Sequence, residues 1–150
     1  MGEPVTKSRL MQYVYLEMEY YNHIDRLTRL ENDTELPAMQ EGDGSQRSLL
    51  KSSRMESAAI RKMSQEPKLK KRIAELENEL QEIEEAVDGL ADPMHREVLR
   101  SRYIDCESLR HTKWNDVARK IYGSDDEKYL IGLWRIHNAA IRELERQGKV

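Results

Sequence analysis

Arg135, Asn138 and Arg142 stand at steps of three and four, the spacing that lines side chains along one face of a helix. Arginine and asparagine are the residue types that hydrogen-bond guanine and adenine edges in a major groove, so this row carries the chemistry of base reading. Lys113 and Lys128 add charge suited to phosphates. A merely solvated helix face has the same composition, so the row depends on an element that presents it. Asp125, Asp126 and Glu127 act against phosphate contact just upstream, and their ordinary role is to cap the start of the helix.

Other chemistry fares worse. Gly42-Asp43-Gly44-Ser45 has neither the closing Gly-Lys-Ser/Thr nor the preceding strand of a phosphate loop. Cys106 with His95 and His111 superficially suggests a thiol-imidazole pair, yet spacing alone does not make one, and Cys106 reads as a small surface residue. The Asp125–Glu127 cluster lacks the spaced ligands of a calcium loop. His137 falls on an apolar helix face and is expected as a packed core residue with one ring nitrogen satisfied. No catalytic residue, metal site or bound cofactor is expected.

The elements that would position the row lie in the last third of the chain. Asp92-Pro93 is a strong start signal, an N-cap followed by proline at the first helical position. The helix from Pro93 to Ile104 is expected to bury Met94, Val98 and Leu99. Thr112 is the expected cap of a second helix with Trp114, Val117, Ala118 and Ile121 on one face, ended by Gly123. A third helix opens at Ser124-Asp125-Asp126-Glu127 and buries Leu130, Leu133 or Trp134, His137, Ile141 and Leu144. Three short helices with a glycine turn before the last make a helix-turn-helix candidate.

Upstream, residues 6–31 place Leu10, Tyr13, Leu16, Tyr20, Ile24, Leu27 and Leu30 on one helical face, with Tyr13, Tyr15, Tyr20 and Tyr21 padding an interface. Residues from about 32 to 51 collect turn formers and are expected as a flexible linker. Helix resumes near Ser52 with a weak stripe of Met55, Ala58, Ala59 and Met63 up to Pro67. Leu69, Ile73, Leu76, Leu80, Ile83, Val87 and Leu90 then alternate steps of four and three, a coiled-coil seam whose partner is either the Tyr-rich helix of the same chain, another subunit, or both. Its basic opening, Lys68, Lys70, Lys71 and Arg72, followed by acidic residues, suits antiparallel pairing.

The 150 residues contain 35% charged side chains, seven Gly, four Pro and no Phe, a balance that favours long helices over turn-rich sheets. The fold class is all-α, with residues 1–91 a helical hairpin or coiled-coil oligomerisation region and residues 92–150 the three-helix unit. The net charge of -3 hides an asymmetry: residues 92–150 hold 12 basic and 10 acidic groups, whereas residues 68–91 hold 4 and 7. The lone Cys106 excludes a disulfide framework and fits a reducing cytosol. With no membrane-spanning run and no signal-peptide pattern at the start, the expected location is the cytoplasm.

The run Asp92-Pro93-Met94-His95-Arg96-Glu97-Val98-Leu99-Arg100-Ser101-Arg102-Tyr103-Ile104, then Trp114-Asn115-Asp116-Val117-Ala118, then Arg135-Ile136-His137-Asn138-Ala139-Ala140-Ile141-Arg142-Glu143-Leu144, resembles region 4 of sigma-70 family factors. The form is that of small phage transcription regulators of the RinA and ArpU type, where a helical or coiled-coil part precedes a sigma-like helix-turn-helix. The resemblance covers residues 92–146, and the upstream coil only in architecture. It implies late-gene control in a phage or prophage, double-stranded DNA as partner, RNA polymerase as a second one, and a homo-oligomer built through the coil. It also implies that residues 114–121 support and 126–146 read. Two stretches depart from the family pattern, Cys106 to Thr112 and Ser124 to Leu130. The alternatives are a small terminase subunit and a coiled-coil adaptor that makes protein contacts only, with no membrane and no small-molecule substrate in any of these readings.

Overall fold

The computed structural model describes residues 4–32 and 45–147, and every regular element among them is helical. The glycine-rich stretch 33–44, including Gly42 and Gly44, lies outside the described residues, as do the side chains of Met55 and Ala58. The chain divides into two compact units, one made of residues 1–18 with 77–150 and the other of residues 19–76. That division does not fall at the expected boundary of 91 and 92, because the beginning of the chain packs with its end.

Helix α1, Lys7–Met11, starts where the Arg9 amide donates to Thr6 Oγ1 at 3.2 Å, an N-cap that satisfies one of the orphan donors of the first turn. It is followed after Gln12 by α2, Tyr13–Asn32. The α3 helix, Ser45–Asp88, begins earlier than expected, so residues 45–51 are helix and not linker, and it runs through Pro67 without ending. Proline inside a helix forfeits one backbone bond at a cost of about 3 kcal/mol, which the long apolar stripe that follows offsets.

In the first unit the stripe buries Leu80, Ile83, Val87 and Leu90, and in the second Ile73 and Leu76, with Leu69 half-buried. Leu76, Ile83 and Val87 are wholly inaccessible within a single chain. The ion pairs of α1 and α2 fix who covers it. In the first unit Arg9 meets Glu82 at 2.5 Å and the Tyr13 hydroxyl donates to Glu84 at 2.7 Å. In the second, the Arg72 guanidinium donates twice to Glu19 Oε1, at 3.0 and 3.1 Å. Of the four expected interface tyrosines, Tyr13 is buried while Tyr15 and Tyr21 are 65% and 53% exposed, Tyr15 meeting the His111 ring edge-on at 6.4 Å and Tyr21 the Tyr20 ring at 5.5 Å.

The rest of the first unit is built on α4, Pro93–Leu99, α5, Trp114–Tyr122, and α6, Glu127–Gln147. Asp92 caps α4 as its sequence demands, accepting from the Met94 amide at 2.8 Å. The expected α-helix to Ile104 is corrected over Arg100–Ile104, which is one wide π-turn closed by the Asp105 amide donating to the Arg100 carbonyl at 2.7 Å. The wider turn brings Ser101, Tyr103 and Ile104 all inside. Met94, expected in the core, is 37% exposed. A short 3-10 turn, Glu107–Leu109, carries two non-glycine residues in the left-handed region, Ser108 at φ 59 and Leu109 at φ 54.

Val98, Val117, Ala118 and Leu133 form the centre of this unit, with Trp114, Ile121, Tyr122, Leu130 and Ile136 packed around them. The cap of α5 is Lys113, without a side-chain bond, and not Thr112. The Thr112 carbonyl is instead taken by an Arg102 Nη1 donor, and its amide donates to the Arg102 carbonyl at 3.2 Å. Gly123 ends α5 in the left-handed region at φ 76, as a glycine placed there implies.

Candidate nucleic-acid interface

Between the end of α5 and the start of α6 lie four residues, Gly123 to Asp126. Gly123 reverses the chain, the Ser124 hydroxyl accepts from the Asp126 amide at 3.3 Å, and the Asp126 carbonyl accepts from Tyr129 and Leu130. Leu133, and not Trp134, enters the core, followed by His137, Ala140, Ile141 and Leu144. The opposite side of α6 therefore faces outward. Lys128, Arg135 and Arg142 are exposed on it, and Asn138 is half-buried.

Lys113, Lys128, Arg135 and Arg142 have no ion-pair partner among the described residues; Lys113 shares a recess with Asp105, Glu107 and Asp116, whereas the three cations on α6 stand without a direct counter-charge. Lys128 Nζ sits 4.9 Å from the ring centre of Tyr129, a contact that holds the ammonium without neutralising it. The acidic cap is less hostile than its sequence suggests, because Asp125 is tied to Arg119 at 2.6 Å and Arg119 also reaches Asp116 at 2.9 Å.

Sequence reasoning did not single out two further members of this face. Ile131 and Trp134 are each 49% exposed, and the 3.6-residue repeat sets them beside Lys128, Arg135 and Asn138. Trp134 is the expected alternative to Leu133 in the core, and Ile131 has no expected place. The only available signal was arithmetic: α6 has more apolar positions than one stripe holds.

Asn138 is not a free reader. Its side-chain oxygen lies 3.2 Å from His137 Nδ1, while His137 Nε2 lies 2.7 Å from the Tyr103 hydroxyl. The neutral tautomer with a proton on Nδ1 satisfies both contacts, donating to Asn138 and accepting from Tyr103. Burial pushes the His137 pKa below its ordinary value, and it raises that of Tyr103. Trp134 stacks on the His137 ring at 5.3 Å, and Trp114 meets it edge-on at 4.9 Å. The Arg102 guanidinium lies 4.7 Å from the Trp114 ring centre, with its Nε buried and unbonded. The outward face is thus anchored through its own inner residues.

A polar recess of about 410 Å³ opens beside Lys113, lined among others by Arg110, Lys120, Asp105, Glu107 and Asp116. Its cations are matched by carboxylates, so it attracts no anion by charge alone. Cys106 is not paired with a histidine; its thiol lies 3.2 Å from the Arg102 carbonyl. His95 is 2.6 Å from Glu143, and His111 is 2.9 Å from the Met11 carbonyl. Among the described residues no group of histidine, cysteine and carboxylate side chains is placed to hold a metal, and no helix is long and apolar enough to cross a membrane.

Comparison with known proteins finds no family model, no curated protein and no solved structure that matches this chain.

Proposed function

We propose that the protein is a DNA-binding transcription regulator whose α4, α5 and α6 form a sigma-like helix-turn-helix, with α6 as the reading helix. The observation that carries this is the pairing of α5 and α6 across a four-residue turn with a left-handed glycine, on one shared core, with an uncompensated cationic face directed outward. Arg135 and Arg142 are the readers of guanine edges. Asn138, its oxygen engaged by His137, offers its amide hydrogens to an acceptor such as a purine N7. Ile131 and Trp134 suit thymine methyl groups, and Lys113 and Lys128 suit phosphates.

The likeness to region 4 of sigma factors supports a role in late-gene control of a phage or prophage in the host cytoplasm, with RNA polymerase as a further partner. Burial of Leu69, Ile73, Leu76, Leu80, Ile83 and Val87 is accounted for within one chain to the extent described above. A homo-oligomer of the regulator would therefore be built through surfaces other than the buried part of this seam.

The test is selection of random duplex DNA on the full-length protein at about physiological salt, where sequence-independent binding is weakened. A recovered motif that Arg135→Ala and Asn138→Ala blur, without loss of helicity, supports the reading. Recovery of no motif, with binding that merely fades as salt rises, overturns it and favours the adaptor alternative.

A further inference from the structure

The strongest local excess of positive charge is not in the C-terminal third. Residues 61–72 hold Arg61, Lys62, Lys68, Lys70, Lys71 and Arg72 against a single acid, Glu66. Within the second unit, Arg61, Lys68 and Gln65 on α3 face Arg26 and Arg29 on α2 across a groove of about 430 Å³, floored by Leu30 and Leu69. No carboxylate lines it. Arg26, Arg61 and Lys68 have no ion-pair partner among the described residues. Arg29 has one, Asp25 at 2.9 Å, in an i,i+4 pair with both side chains largely exposed. Such a pair is weak and yields readily to a competing anion.

We infer that this groove is a binding site for the phosphate backbone of double-stranded DNA, separate from the α6 face. Converging cations without a counter-charge repel one another, and the arrangement is relieved by an anion between them. The groove is open and its cations are exposed, so it meets an extended ligand and does not enclose a small one. A ligand with a charge every few ångströms matches cations contributed by two parallel walls, and duplex DNA carries one per about 1.7 Å of its axis. Arg61, Gln65 and Lys68 recur at i, i+4 and i+7, a row rather than a point. The site shares its ligand with the function proposed above but none of its residues.

The experiment measures affinity of the full chain for a duplex of defined sequence as salt is raised, comparing the wild type with the triple variant Arg26→Gln, Arg61→Gln, Lys68→Gln and with Arg135→Ala. Each phosphate contact contributes about 0.9 to the salt slope, so losing three lowers it by about 2.7. Across a fourfold rise in salt the wild type should then weaken about 40-fold more than the triple variant. All three positions are exposed, and unchanged helicity in circular dichroism confirms that the variant folds. A reduced slope with the sequence preference intact supports the groove. An unchanged slope in a wild type that reads sequence overturns the groove and leaves the α6 reading standing. A reduced slope in a wild type without sequence preference supports the groove and removes the α6 reading. Tighter binding of poly-glutamate or of phosphatidylserine vesicles than of duplex, lost in the same variant, overturns the assignment to DNA.

Discussion

The Tyr103 hydroxyl lies 2.7 Å from His137 Nε2, joining the π-turn after α4 to the inner face of α6 in a wholly buried contact. One hydrogen bond thereby sets the tautomer of the histidine, and the histidine in turn holds the half-buried Asn138. The outward face of α6 is positioned from within.

Stability should fall as the solution is acidified. The folded-state pKa of His137 is lowered by burial, so its contribution is fully present above the ordinary value near 6.5 and is lost as pH drops through the folded value. Denaturant midpoints measured from neutral pH downward should decline, and His137→Gln should flatten the part of the decline that begins near 6.5. Equal slopes in both proteins would assign the acid sensitivity elsewhere.

Tyr103→Phe removes the hydroxyl and leaves a buried ring nitrogen unbonded, at a cost of about 1–3 kcal/mol. Equilibrium unfolding reads the loss. Tyr103 also has a raised pKa from burial, so its share of stability is held below about 10 and lost above it. The variant should show a smaller alkaline loss of stability than the wild type, the remainder coming from Tyr13, whose pKa burial also raises.

Ile83→Ala should cost about 2–5 kcal/mol, because this side chain is fully enclosed within the chain. Since the enclosure is within one chain, the unfolding midpoint should lose the same amount at every protein concentration. A loss that grows on dilution would place a second subunit on the seam.

Gly123→Ala should destabilise by about 1–2 kcal/mol, the cost of a side chain in the left-handed region. Nothing lies within 4 Å of a Cβ at this position, so the cost is conformational and not steric. Gly123→Asn should therefore recover much of it, and a thermal melt compares the two. An asparagine no better than alanine would refute the assignment.

Much of the helical frame was legible because its signals are local. Asp92-Pro93, Gly123 and the Trp114–Ile121 face act within one turn of themselves, and each does what its chemistry implies. The seam from Leu69 to Leu90 was legible as a stripe, but a stripe does not name its partner. The π-turn left no trace, since Arg100–Ile104 has the composition of any α-helix. Leu133 and Trp134 are adjacent, and only packing against Val98, Val117 and Ala118 decided between them. The cationic groove was obscured for a different reason: a division of the charge after Pro67 separated Arg61 from Lys68. Its other wall, Arg26 and Arg29, lies more than thirty residues away in the chain.

The first unit draws on both ends of the chain: the Lys7 amide donates to Glu145 at 3.4 Å, and His111 reaches the Met11 carbonyl. Residues 7–11 thus leave the ribosome well before the residues they pack with. At about 5–20 residues per second, α1 and the start of α2 remain without these partners for about 5–30 seconds of synthesis. Met11, Tyr15 and Met18, exposed even in the folded chain, are then accompanied by the still uncovered Leu10, Tyr13 and Val14, apolar surface of the kind that makes a nascent chain prone to aggregation.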